Sequence, residues 1–279
     1  MTGSVWKRAG RALAVVLGAG AAAGLGLVLR AQTQPEGKEP LVFEVASIKA
    51  TPPDTRGGIV HPVEGRGYEA IGVPLRTILT VAYTVTDRQI SGGPSWINAD
   101  RWNIEAKGER RGTSDELHAA LARLLEDRFQ LKVRHETREM SCYILTVDKK
   151  GPKMALHDSE DTAHEPIMGR FEKGELRQTG HNVMMDYFAF FLSRGLDLNV
   201  INRTGLTNPY DVDFHYVPDL PNGGRGPDGG PAMVNGEPVA LDGPTLFTAL
   251  REQLGLRLEK GRGAVDFLVI EHVEKPSEN

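Results

Sequence analysis

Residues 121–133 read LARLLEDRFQLKV, and residues 246–258 read LFTALREQLGLRL. The two stretches lie 125 residues apart, and the match continues without a gap, so that residues 121–148 align with residues 246–273. The matched positions are mostly leucine, phenylalanine, valine and isoleucine, which are the residue types that fill protein cores. Self-similarity at one fixed offset indicates two copies of one folding unit. The sequence therefore predicts an internal duplication.

Hydrophobic periodicity predicts the same order of elements in both copies. Apolar side chains at helical spacing predict two helices in each copy, at 75–83, 113–125, 183–192 and 246–254. Thr113 and Glu116 have the spacing of a capping box at the start of the second helix. We expect hairpins at 129–147 and 256–272, and paired strands at 198–201 and 210–214. The predicted fold class is α+β, with two tandem β-α-β-β-α-β-β modules.

The first 31 residues differ from the rest of the chain. Lys7, Arg8 and Arg11 precede an apolar run over 12–29, which is typical of a secretory signal peptide cleaved before Gln32. The alternative is an uncleaved anchor, because the run approaches the length that spans a bilayer. Either reading predicts a periplasmic or secreted protein that meets the membrane only through this segment.

The remaining boundaries follow from composition. Residues 32–40 form a polar linker, residues 41–153 the first module, and residues 171–279 the second. A connector at 154–170 joins the modules. Residues 217–243 are rich in glycine and proline, and we expect a flexible insertion there.

Charge and cysteine content exclude some classes of function. Removing the four basic residues of the leader leaves 29 of the 33 basic side chains against 37 acidic ones. This acidic balance argues against a nucleic-acid partner, since phosphate binding requires a basic face. Cys142 is the single cysteine, so an internal disulfide is impossible.

Two polar segments contain residue types that bind metals, but neither has a metal-binding pattern. Residues 135–139 read HETRE and lack the second histidine of the H-E-x-x-H zinc motif. Residues 157–165 hold two histidines and four acids at a spacing that matches no zinc or calcium loop. The glycine-rich run at 91–97 fits neither a phosphate-binding loop nor a nucleophile elbow. The sequence therefore predicts no metal and no cofactor, and it identifies no catalytic residue.

Four residues are candidates for binding. Trp96 and Trp102 could form a stacking platform, although half-buried strand aromatics are the alternative. Arg128 and His135 are polar positions at which the repeat fails, because they align with Gln253 and Lys260.

Several short motifs resemble a known family. They are FEVASIK at 43–49, GGPSW at 92–96, LEDRF at 125–129, HETRE at 135–139, KGPK at 150–153, NRTGL at 202–206 and PSEN at 276–279. Together they resemble the soil-associated protein family, a domain of unknown function expanded in some soil bacteria. The resemblance implies no activity, catalytic residue or cofactor. Related domains joined to membrane metallopeptidases of the beta-lactam-sensor type imply an extracytoplasmic sensing or interaction role.

A fold-level similarity connects the predicted modules with the short N-terminal signalling modules of secretins and outer-membrane receptors. It favours protein contact through sheet edges. We therefore expect a non-enzymatic exported protein that binds another envelope protein or an extracellular ligand. The candidate surfaces are sheet edges, the cleft between the modules and the insertion. The alternative is an envelope or extracellular hydrolase with its site between the modules.

Overall fold

The computed structural model describes residues 39–52, 55, 58–158, 167–220, 224–225 and 230–276. From Glu39 onward the chain forms one compact unit. The described residues contain five α-helices and three four-stranded sheets, together with a two-stranded ribbon. The predicted α+β class is confirmed.

The first sheet is antiparallel, with strand order β1-β5-β3-β2. Its strands are β1 (Val45–Ala50), β2 (Ile59–Val63), β3 (Gly67–Pro74) and β5 (Arg101–Lys107). Alternation buries every second residue of β5, namely Trp102, Ile104 and Ala106. These side chains share one core with helix α1 (Leu75–Ala82) and with α3 (Ser114–Arg128).

Helix α3 begins where the sequence predicts it. The Thr113 hydroxyl accepts a hydrogen bond from the Glu116 amide at 3.3 Å, and the Glu116 carboxylate accepts one from the Thr113 amide at 2.8 Å. This capping box satisfies two amides that the first helical turn leaves unpaired. The predicted apolar stripe faces the core, and the helix ends at Arg128 because Phe129 leaves helical geometry.

The second sheet has the order β7-β11-β9-β8 and is also antiparallel. Its strands are β7 (Ala155–Leu156), β8 (Met168–Glu172), β9 (Glu175–Val183) and β11 (Tyr210–Tyr216). Helices α4 (Met185–Gly195) and α5 (Leu246–Gln253) contribute buried side chains to its core.

The third sheet lies between the other two cores and draws strands from both halves of the chain. It contains β4 (Ile90–Gly92), β6 (Lys132–Val147), β10 (Val200–Asn202) and β14 (Leu256–His272). The long strands β6 and β14 pair antiparallel along their whole length. The short strands add parallel to its outer sides, β10 to β6 and β4 to β14.

This sheet corrects the predicted strand pairing. The segments 129–147 and 256–272 were predicted as hairpins, but each contains one continuous strand, β6 or β14. The predicted pairing of 198–201 with 210–214 is also wrong, because β10 pairs with β6 and β11 pairs with β9. The polar residues at 135–139 look like a turn in the sequence. They lie mid-strand, where Glu139 pairs with Ala264.

The glycines of β14 also look like a turn in the sequence, but in the structure they lie within the strand. Gly261 and Gly263 lie opposite Cys142 and Met140 within the ladder. A Cβ atom at Gly263 would lie 2.8 Å from Cδ1 of Ile201. The glycine therefore makes room for a small apolar cluster on that face of the sheet, and it does not reverse the chain.

The long strands supply side chains to both helical cores. Leu268 and Ile270 of β14 lie in the core of the first sheet. Tyr143 and Leu145 of β6 lie in the core of the second sheet. Each half of the chain therefore completes the core of the other.

One arginine joins the halves at their junction. The Arg88 guanidinium donates to the carbonyls of Asp197 at 2.8 Å and Leu196 at 2.9 Å, and also to the Ser193 carbonyl. Its Nε atom donates to Oδ1 of the buried Asn199 at 2.9 Å. These carbonyls end helix α4, where a cation is favourable because the last carbonyls have no partner within the helix.

The described part of 217–243 contains the ribbon β12 (Met233–Val234) and β13 (Glu237–Pro238). The flexibility of this insertion stays a prediction, as do the module boundaries at 153 and 171. The leader at 1–31 and most of the linker lie outside the described residues. Within the described ranges, no helix is both long and apolar enough to cross a bilayer.

Replacing Arg88 with alanine should lower the free energy of unfolding by about 2–3 kcal/mol, because four acceptors lose a charged donor. Arg88→Lys should recover only part of this loss, since an ammonium group cannot reach all four acceptors. Urea denaturation followed by circular dichroism measures both values. The control is Arg251→Ala on the exposed face of α5, for which a change below about 0.5 kcal/mol is expected. A wild-type value for Arg88→Ala would contradict this account of the junction.

Candidate functional site

The two tryptophans predicted as binding residues lie together at the first core, in which Trp102 is buried and against which the partly buried Trp96 packs. Trp102 is 5% exposed, and its ring meets Phe129 edge-to-face at 5.3 Å between centroids. Trp96 begins the short helix α2 (Trp96–Ala99) and stacks on Phe129 at 6.4 Å. Lys275 Nζ lies 5.7 Å from the Trp96 ring centroid and pairs with Asp100. The pair thus has the geometry of core aromatics, and a binding role for it stays a prediction.

His135 lies on the central sheet, with its side chain 57% exposed. Its Nδ1 atom is 3.3 Å from the Asp266 carboxylate, which also accepts a hydrogen bond from Thr137 at 2.9 Å. Among the described residues, the hydrogen bonds and ion pairs of His135 link it to none of the other predicted site residues.

Arg128 lines a groove between the edge of the first sheet and helix α3. We call it the β1–α3 groove, and its volume is about 240 Å³. One wall comes from the chain entering β1, and the other from one face of α3. The lining residues are Leu41, Val42, Phe43, Glu44, Ala46, Ala120, Arg123, Leu124, Asp127 and Arg128.

Strand β1 presents a free backbone edge to this groove. Within the part of the chain that the structure describes, β1 pairs with β5 on one side and with no strand on the other. The Thr51 amide donates to the Arg101 carbonyl at 2.9 Å, so odd-numbered residues of β1 bond to β5. The N–H and C=O groups of Ala46, Ile48 and Ala50 therefore point away from the sheet.

The other described sheet edges have features that hinder strand addition. β4 and β10 are three residues long, and β7 is two. β2 contains Pro62, which has no amide to donate, and β8 contains Gly169 and Arg170. Short strands, proline and charge are the usual protection of an exposed edge. β1 has six residues and no proline, and Lys49 is its one charged residue.

A side chain closes the outer edge of β11. β7 pairs only with Tyr210 and Asp211, which leaves the rest of β11 uncovered by a strand. Gln253 fills this place: its Oε1 accepts from the His215 amide at 3.0 Å, and its Nε2 donates to the His215 carbonyl at 2.9 Å. Gln253 is the residue that aligns with Arg128 in the sequence repeat. In the first sheet, the outer edge of β5 is covered by the strand β1.

Charged groups of both signs border the β1–α3 groove. The Arg128 side chain is 36% exposed, and its Nε atom lies 3.5 Å from the Asp127 carboxylate. Arg123 donates to the Leu41 carbonyl at 3.3 Å. Desolvation raises the pKa of Glu44, and the charge of Glu109 and a hydrogen bond with it act in the same direction.

The β1–α3 groove combines backbone groups, apolar side chains and charged side chains. Its lining contains no histidine, cysteine, serine, threonine or lysine, and its two carboxylates are those of Glu44 and Asp127. It offers outward backbone groups, an exposed valine at position 42 that is 61% accessible, and two guanidinium groups. Backbone hydrogen bonds can hold an extended segment, and side-chain slots can select it.

A second group of titratable residues lies on the second sheet. His157 Nδ1 is 2.7 Å from Oδ1 of Asp211, and His181 Nδ1 is 3.4 Å from the same atom. Desolvation opposes ionisation of Asp211, but hydrogen bonds from His157 and the Asn182 amide lower its pKa overall. The described residues include no cluster of three or more histidine, cysteine or acidic side chains able to hold a metal ion.

The sequence names Arg128 as a candidate but does not predict the groove that it lines, and a binding role for Arg128 stays a prediction. The sequence predicts both the strand at 41–48 and the helix at 113–125. Which strand lies at an edge depends on the order of strands in the sheet, and no local pattern encodes that order.

Fold and groove together define an α+β protein with one accessible sheet edge beside a helix. The chain belongs to a family of proteins of unknown function (DUF3738), whose model matches residues 76–273. Family membership agrees with the resemblance at the level of a domain without assigned activity. The matched residues include α3, whereas β1 precedes them. No curated protein and no solved structure matches the chain.

Replacing Gln253 with alanine should lower the free energy of unfolding by about 1 kcal/mol, because the His215 amide and carbonyl lose their partners. Urea denaturation measures the change. Glu252→Ala is the matched control, since that neighbouring side chain is 64% exposed and should contribute less than about 0.5 kcal/mol. Equal values for the two variants would show that Gln253 does not close this edge.

Proposed function

We propose that this chain is an exported, non-enzymatic interaction module of the cell envelope. It binds an extended segment of another protein, which adds to the first sheet as a strand beside β1. The observation that carries the proposal is the open edge of the six-residue strand β1 beside the β1–α3 groove.

The architecture supports this mode of binding. Ala46, Ile48 and Ala50 offer outward amides and carbonyls at alternate positions, which is the pattern that an added strand requires. One face of α3 lies beside the place that the added strand would occupy. Alternate side chains of that strand would meet Ala120 and Leu124 beneath the helix.

The sequence supports the location. A cationic segment followed by an apolar run leads the chain, as in exported proteins. The resemblance to a family that is also found joined to membrane metallopeptidases favours a role in contact or sensing outside the cytoplasm. Secretin-type signalling modules, to which the predicted modules are similar, would offer their sheet edges in the same manner.

An internal duplication is part of the proposal. The sheet orders β1-β5-β3-β2 and β7-β11-β9-β8 list strands in corresponding positions along the two halves. β10 pairs with Tyr143, Ile144 and Leu145, and β4 pairs with Leu268, Val269 and Ile270, which lie 125 residues further on. In this view, the two copies differ in function because β1 is a full-length edge strand and β7 is not.

The hydrolase alternative would depend on His157, which Asp211 orients as in an acid–base pair. Such a pair is one part of a catalytic site. The β1 edge supplies a complete binding mode, and for this reason we favour binding.

The test uses the mature chain and a fluorescein-labelled peptide of about nine alternating threonine and valine residues. Fluorescence anisotropy should detect saturable binding. Ala46→Pro should weaken it about tenfold or more, because proline removes an outward amide without breaking the ladder to β5.

Val60→Pro is the matched control. Val60 lies on β2, at the opposite edge of the same sheet, and it shares the outward parity of Pro62. This variant should bind the peptide within about twofold of wild type. Equal binding by Ala46→Pro and wild type would refute the proposal. Self-association lost in Ala46→Pro would also overturn it, because the occupant of the edge would then be a second copy.

A further inference from the structure

We propose that the β1–α3 groove selects an extended segment that carries an acidic side chain, and that Arg128 is the specificity-determining residue. This inference rests on the proposed function and names the chemistry of its ligand.

Arg128 has N–H donors that its ion pair with Asp127 does not use. A guanidinium group carries five N–H donors in a planar fork that matches a carboxylate. Among the described residues, the charged partner of Arg128 is Asp127, whose carboxylate lies 3.5 Å from Nε of Arg128. The Asp127 side chain is 78% exposed, so solvent screens this pair. The remaining donors can bind a carboxylate in the groove.

The position of Arg128 brings it to the added strand. In the second half, the aligned residue Gln253 reaches the backbone of the strand edge next to its helix. In the first half, β1 occupies the corresponding edge of β5, and Arg128 lines the groove together with Ala46 of β1. A strand added beside β1 would therefore meet the Arg128 side chain in the groove.

The groups around Arg128 favour an acidic ligand over a basic one. Arg123 adds a second positive charge, and its hydrogen bond to the Leu41 carbonyl holds it at the groove wall. Of the two acids, Asp127 is turned to solvent. The other, Glu44, lies on the chain that enters β1. Arg128 and Arg123 are therefore the two cationic groups of the groove that an added strand can meet.

The test varies one residue of the threonine–valine peptide. Glutamate, glutamine or lysine is placed in turn at each position, and anisotropy measures the dissociation constants. At one or two alternate positions, the glutamate peptide should bind about fivefold tighter than the glutamine peptide, and lysine should bind weakest. Added salt should reduce this preference.

Two variants assign the preference to a residue. Arg128→Gln should bring the ratio of the dissociation constants of the glutamine and glutamate peptides from about five to about one. Arg251→Gln removes the same charge from α5, away from the groove, and should preserve the preference. Urea denaturation checks that both variants are folded.

The outcomes separate the two proposals. If the unsubstituted peptide binds and all three guests bind equally, the acidic preference is wrong and strand addition stands. A lysine preference, or a glutamate preference that survives Arg128→Gln, would also overturn this inference. Absence of binding by every peptide would overturn both proposals.

Discussion

The antiparallel pairing of β6 with β14 is the constraint on which the rest of the structure depends. The ladder runs from the pair of Leu256 with Val147 to the pair of His272 with Lys132. Opposite ends of each strand lie in different cores, so neither core is complete without both strands. The shared sheet makes the two halves one compact unit. Arg88 adds a polar link at the same junction, where it binds the end of α4.

Because the long strands are used in the shared sheet, each outer sheet must cover its own edges. The second sheet does so with the short strand β7 and the side chain of Gln253. The first sheet uses β1, a full strand, which covers β5 but exposes an edge of its own. An open edge is a liability unless a partner fills it. This difference between the two outer sheets is the main reason to look for function at β1.

Local signals were enough to predict most elements. The capping box at Thr113 and the apolar stripe of α3 located that helix, and alternation located β5 and β1. The predicted hairpins failed because a polar mid-strand stretch and the glycines at 261 and 263 look like turns in the sequence. Their true role is set by a strand more than a hundred residues away. Arg128 was singled out by the failed match at position 253, and its surroundings came only from the fold.

The sequence by itself determined the α+β class, the helices with their caps, the core-forming positions and the 125-residue repeat. These features depend on spacing and residue type within a short window. Only the tertiary structure decided which strands pair, which edge stays open and what Arg128 faces. Strand order is fixed by long-range burial and hydrogen bonding, which act between distant segments once the chain has folded. The candidate site exists at that level, because its two walls come from segments that no local pattern brings together.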